Sequence, residues 1–170
     1  MTAASEQWVW VSYLELLEAP GSADPRSGEE RIECERLGVE EYLALYVRVG
    51  APLRWDRRLA LDRAVLAALL GERLELYVLR NPAGEALGWC EFDRAAYPEV
   101  ELTHFGLIPE AQGRGLGPWL LGVALEAVWR AGARRVWLHT DTWDHPAALP
   151  CYERAGFRVY ERRYEPAEGL

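Results

Sequence analysis

Residues 105–117, "FGLIPEAQGRGLG", place Gly113, Gly115 and Gly117 between an apolar strand-like run and an apolar helix-like run. A short turn alone does not need three alternating glycines. Free N–H groups at a helix start point outward, and the helix dipole favours an anion there. Without a Cβ at these positions, several amides can approach a phosphate closely, and Arg114 can add a charge-assisted bond. A dinucleotide fingerprint, GxGxxG, fits at Gly113 and Gly115 but meets Pro118 at its third glycine. That fingerprint also opens directly at a strand end, whereas "PEAQ" separates Ile108 from Gly113 here. The loop therefore reads as a cradle holding a pyrophosphate from one side, with a glycine-rich turn as the plainer alternative.

The elements around it follow from periodicity. Residues 8–17, "WVWVSYLELL", are rich in aromatic and β-branched residues and predict a strand, followed by a loop rich in Pro, Gly and Ser. "RIECERL" predicts a second strand and residues 39–48 a helix. Residues 60–70 predict another helix, with Asp62 as a cap and Gly71 as terminator. "RLELYVL", "EALGWCEFD" and "EVELTHFGLI" read as three strands, and residues 116–131 as a helix apolar on nearly every face. "RRVWLHTD" is a strand, "HPAALPCYERAG" a helix with Pro146 in its first turn, and "FRVYERRYE" a last strand. This order predicts an α/β (α+β) fold: one mixed, mostly antiparallel sheet flanked by helices.

The glycine loop with Gln112, Gly115 and Gly117 resembles the Gln/Arg-x-x-Gly-x-Gly/Ala signature of the GNAT superfamily of acyl-CoA-dependent N-acyltransferases. "HPAALPCYERAGF" adds Ala148, Tyr152, Gly156 and Phe157 in that family's order, with His145 where it usually has Asn. The resemblance runs from about Arg73 to Tyr164. It implies an N-acetyltransferase domain over residues 30–166, preceded by an extension, residues 1–29, that adds a strand and a loop. It also implies acetyl-CoA as cosubstrate, with no metal. The expected coenzyme contacts are Phe105, Gly106, Leu107 and Ile108 on the strand, Gln112, Gly113, Arg114, Gly115, Leu116 and Gly117 in the loop, and His145.

Acyl transfer from a thioester to an amine needs a neutral amine, a polarised carbonyl and a proton for the thiolate. An alkylammonium has a pKa near ~10, so a base must take its proton. Glu101, eleven residues before Gln112, resembles the base of the histone-acetylating members. Strict alternation puts Glu101, Thr103 and Phe105 on one face of the strand and Leu102, His104 and Gly106 on the other. On that pattern Glu101 faces the cleft and His104, the rival base, does not. Tyr152 resembles the family's general acid. Its neighbour Cys151 points elsewhere on the helix, which argues against a covalent cysteine route. The acceptor pocket is expected from the first two helices and the central hairpin, where Trp55, Arg57, Arg58, Tyr42, Tyr46, Trp89 and Glu91 are the available large or charged residues.

Composition narrows the partners. A formal net charge of −8 argues against nucleic-acid binding. The three cysteines form no CxxC pair, and no apolar run reaches membrane-span length. The expectation is a cytoplasmic enzyme acting on a small-molecule or peptide amine. The alternative is an acyl-CoA-binding module without catalysis. The apolar helix and the aromatic N-terminal stretch add a possible homodimer.

Overall fold

The computed structural model describes residues 7–167. Its elements in chain order are β1 (Trp8–Leu16), β2 (Arg31–Glu35), α1 (Val39–Gly50), α2 (Arg63–Glu72), β3 (Leu74–Arg80), β4 (Ala86–Asp93), β5 (Glu99–Leu107), α3 (Leu116–Arg130), β6 (Arg135–Asp141), α4 (Ala148–Arg154) and β7 (Arg158–Pro166). The seven strands form one sheet in the order β2-β3-β4-β5-β6-β1-β7. Every neighbouring pair is antiparallel except β5 with β6. The expected mixed, mostly antiparallel sheet is therefore present.

Helices cover the sheet from both sides. Val49 of α1 packs over Gly106, while Gly117 of α3 packs over the adjacent Phe105, so α1 and α3 lie on opposite faces of β5. Tyr152 of α4 meets Phe105 with ring centroids 5.9 Å apart, on the α3 side. Leu116, Leu120, Leu121, Ala124 and Leu125 of α3 are fully buried. The outer side of α3 is covered in part by the β1–β2 connection. Ala23 donates its N–H to Glu126 and lies against Gly122, and the Arg26 guanidinium stands 5.7 Å from the Trp119 ring centroid.

Strand β1 lies inside the sheet. It pairs with β6 on one side and β7 on the other, and it buries Val9, Val11, Leu14 and Leu16. The stretch read as an added strand thus carries β7, which among the described residues bonds to no other strand. On the opposite side of this wing, Trp8, Trp10, Tyr160 and Tyr164 are exposed.

Helix ends differ in places from the periodic reading. Asp62 does cap α2, its Oδ1 accepting the Ala64 N–H at 2.8 Å, but Gly71 lies inside the helix, which runs on to Glu72. Helix α4 starts at Ala148, after Pro146. That start places Pro150 in the first turn, where a missing N–H leaves no hydrogen bond unmade.

Candidate active site

The site begins where two parallel strands part. β5 and β6 are paired only at Glu99–Arg135, Val100–Val136 and Glu101–Trp137. Beyond Glu101, β5 continues along β4 to Leu107 and β6 continues along β1 to Asp141. The gap opens into a cleft of about 700 Å³ whose walls include His104, Phe105, His139, Trp55, Asp144 and Tyr152. The Ile108 N–H is committed to the Leu87 carbonyl at 2.8 Å, and alternation sends the Gly106 amide to the same side. Of the strand amides expected to face a ligand, those of Phe105 and Leu107 are left to the gap. Gly106 is bare for a packing reason, since a Cβ there would lie 2.5 Å from Val49.

A bulge overturns the expected alternation on β5. Phe92 pairs with Leu102 and Glu91 with His104, so Thr103 has no partner on β4. Both Thr103 and His104 consequently face Glu91. Thr103 Oγ1 donates to Glu91 Oε1 at 2.7 Å, and His104 Nδ1 lies 3.0 Å from the same oxygen. Arg58 Nη2 donates to it at 2.5 Å, and the Tyr42 hydroxyl donates to Oε2. Glu91 is fully buried. Burial pushes its carboxyl pKa up, but His104, Arg58 and Thr103 outweigh that and hold it well below the usual range. His104 is in turn boxed by aromatic rings, with centroids 5.2 Å away for Tyr46 and 5.0 Å for Trp55.

Glu101 lies lower, where β5 and β6 are still paired. Its nearest basic partner is His139, with Nε2 3.9 Å from Oε1. Burial and the neighbouring Asp93 raise the Glu101 pKa, so it takes up a proton closer to neutrality than a free carboxylate does. Burial and Arg57 lower the His139 pKa. Across the gap, Tyr152 is buried, and burial with Asp144 nearby raises its hydroxyl pKa well above the ordinary value. Tyr152 therefore stays protonated at any working pH.

The glycine loop has the geometry a close anion contact requires. Gly113 and Gly115 have φ of 75° and 71°, which side chains rarely adopt, and Gly115 is the N-cap of α3 with no side-chain cap. The amides of Leu116 and Gly117 open the helix without intrahelical partners, and Pro118 has none to satisfy. Leu116 itself is core. Gln112 Nε2 donates to the Leu107 carbonyl at 3.3 Å and ties the loop to the strand end. The Arg114 guanidinium is engaged by Glu30 at 2.6 Å, while its carbonyl accepts from Arg26. His145 lines the cleft from the far rim, and its Nδ1 accepts the Ala147 N–H at 3.1 Å.

A family model described as the acetyltransferase (GNAT) family matches residues 32–157, more than half of the chain. The chain belongs to the GNAT family. A mycothiol acetyltransferase from Corynebacterium efficiens is 32% identical over 108 residues, 64% of this chain and 35% of that relative. One from Geodermatophilus obscurus is 44% identical over 57 residues, 34% of this chain and 18% of the relative. The matched stretch thus spans about a third or less of these curated relatives. Among solved structures, a GCN5-related N-acetyltransferase from Sphaerobacter thermophilus superposes with a TM-score of 0.64 at 20% identity, covering 92% of this chain and 50% of that one. At that identity the likeness shows the GNAT fold alone.

Within this GNAT fold the residues picked out by motif fall into two groups on opposite sides of the strand gap. The glycine loop, Phe105 and Tyr152 stand on the α3–α4 side. Glu101, His104 and His139 stand on the α1 side. Sequence reasoning named Tyr42, Arg58 and Glu91 as pocket candidates but missed that they form one buried cluster against His104, because no motif surrounds Glu91. The one signal was a carboxylate in a run, "LGWCEF", otherwise apolar enough to be core. Among the described residues no group of three or more His, Cys, Asp or Glu is placed to hold a metal ion. No helix among them is long and apolar enough to cross a membrane.

Proposed function

We propose that this protein transfers an acyl group, most simply acetyl, from an acyl-CoA to a primary amine, by direct attack with both substrates bound. The observation that carries the reading is the gap between β5 and β6, with an anion cradle and a protonated tyrosine on one side and ionisable bases on the other. A coenzyme diphosphate fits the cradle because Gly113 has open space where its Cβ would be and Gly117 leaves the first helical turn bare. When bound, the thioester supplies an activated carbonyl.

The side chains then have separate tasks. The Phe105 and Leu107 amides donate to the carbonyl oxygen as charge develops there. Tyr152 protonates the leaving thiolate. Trp55 and Trp143 flank the acceptor's entry on the cleft wall. The base belongs to β5: Glu101 holds the place the family position indicates, and His104 the place that lines the cleft.

Isothermal titration with acetyl-CoA, followed by thiol release in a panel of primary amines, tests the reading. The absence of a binding heat would remove it. A protein that binds but releases no thiol would instead be the non-catalytic binding module. The opposed acid and bases speak against that alternative. Tyr152→Phe is expected to lower kcat about 100-fold with little change in acetyl-CoA affinity. Gly117→Val should weaken acetyl-CoA binding at least ~10-fold by covering the helix-end amides. The valine Cβ would sit 3.7 Å from Leu107 and Phe105, an ordinary contact, and thermal unfolding beside wild type checks that the fold also takes the two methyls beyond it.

We place the protein in the cytoplasm, where its free cysteines Cys34, Cys90 and Cys151 stay reduced. The acceptor class is a small molecule or a peptide, with no nucleic acid and no membrane as partner. The exposed aromatic side of the β1–β7 wing is the face proposed to pair two copies in a homodimer. Light scattering on wild type and on Trp10→Ser should show a dimer and a monomer respectively.

A further inference from the structure

We propose that His104 is the base that takes the acceptor's proton, and that the buried carboxylate of Glu91 positions it for that task. The inference rests on the acyl-transfer reading and assigns the acceptor side of the site.

An ionised carboxylate only accepts hydrogen bonds, so the 3.0 Å contact requires the proton on His104 Nδ1. Nε2 is then left with its lone pair. Among the described residues the ring's hydrogen bond is made through Nδ1 alone, and His104 lines the cleft. The ring cannot turn away, because Tyr46 and Trp55 meet it edge-on and Trp89 lies at 6.3 Å, nearly parallel to it. Glu91 is itself immobilised by Arg58, Tyr42 and Thr103. A fixed tautomer, a caged ring and an uncommitted nitrogen on a cleft-lining residue are what a general base needs.

Position in the gap supports the same assignment. His104 adjoins Phe105, whose amide faces the gap, and it projects from the side of β5 opposite Tyr152. Glu101 is not among the residues that line the cleft; its carboxylate lies lower, 3.9 Å from His139 Nε2, where β5 and β6 are still paired. The charged and titratable groups around His104 are Glu91 on β4, Tyr42 and Tyr46 on α1, and Asp56, Arg57 and Arg58 after α1. Glu101 on β5, His139 and Asp141 on β6, and Arg54, Asp144 and His145 on the cleft walls are the others. The adjacent Glu91–Arg58 ion pair is neutral in sum, so the new charge on His104 faces a balanced partner.

The protons balance as follows. His104 Nε2 takes the ammonium proton and later releases it to water. The neutral nitrogen attacks, a C–N bond forms and the C–S bond breaks with its electron pair on sulfur. Tyr152 gives the sulfur a proton and recovers one from the same nitrogen, so the products are amide, thiol and one proton.

The test combines spectroscopy with kinetics. Long-range ¹⁵N–¹H spectra of the wild-type chain should show His104 protonated at Nδ1 at pH 8. In Glu91→Gln the tautomer should mix or reverse. His104→Gln should lower kcat about 100-fold in thiol release from acetyl-CoA with tyramine, spermidine, glucosamine and a lysyl peptide as amines. It should also abolish the acid limb of the pH profile, leave acetyl-CoA affinity within about twofold and respond to added imidazole. His104 found protonated at Nε2 in wild type overturns the assignment even if Glu91→Gln does not fold. So does a His104→Gln enzyme as fast as wild type, or a larger loss in Glu101→Gln. A wild-type chain silent with every amine overturns the acyl-transfer reading itself, and that failure is separate from an active wild type whose His104 is dispensable.

Discussion

Removal of residues 1–16 is expected to leave no folded protein. β1 is bonded on both edges, to β6 and to β7, and among the described residues β7 pairs with no other strand. The deletion would strip Val9, Val11, Leu14 and Leu16 from the core, each buried to within 4% exposure. At about 1.5–3 kcal/mol for each buried aliphatic side chain, the loss is roughly 6–12 kcal/mol, comparable to the ~5–15 kcal/mol that holds a whole domain together. The Tyr13–Glu165 and Arg135–Glu15 contacts would go with it. Circular dichroism during heating should show no cooperative transition in the truncated chain. A soluble truncated protein that melts within a few degrees of the full chain would mean that β7 finds another partner.

The same strand shows how far the sequence could be read. Its aromatic and β-branched composition identified a strand, because that preference is local. Its partners are β6 and β7, which begin more than a hundred residues later, and nothing in residues 8–16 specifies them. The glycine loop was legible for the opposite reason: backbone conformation is local, and Gly113 and Gly115 do adopt the left-handed conformation their residue type permits. On β5, alternation put Glu101 and His104 on opposite faces, and the unpaired Thr103 cancels that inference by shifting the phase. A bulge arises from the register between two strands, so one strand's pattern does not reveal it. That the pocket candidates Glu91, Arg58 and Tyr42 join Thr103 and His104 in one cluster was hidden for a related reason. Its members come from α1, the segment after α1, β4 and β5, and only folding brings them together.

Replacing Glu91 by Ala is expected to cost about 3–5 kcal/mol of stability, the usual penalty for removing one partner of a buried ion pair. Arg58 would keep its charge in a site where its side chain is only 14% exposed and where its Nε is already buried without a hydrogen bond. Tyr42 would lose the acceptor that satisfies it, and Thr103 would keep only the backbone carbonyl of residue 91 at 3.2 Å. Restoring shape without charge should recover part of the loss, so Glu91→Leu combined with Arg58→Met is expected to be more stable than Glu91→Ala alone. The pH dependence has a defined sign. The Glu91 pKa is depressed in the folded state relative to about 4.3 in an unfolded chain. Its stabilisation is therefore complete above pH ~4.3 and is lost as pH falls towards the folded-state value. Urea unfolding at a series of pH values should show wild-type stability falling steeply below pH ~4.3, with a shallower fall in the Leu–Met variant. Equal slopes in the two proteins would show that the buried carboxylate contributes nothing to acid sensitivity, and that the cluster is held by packing alone.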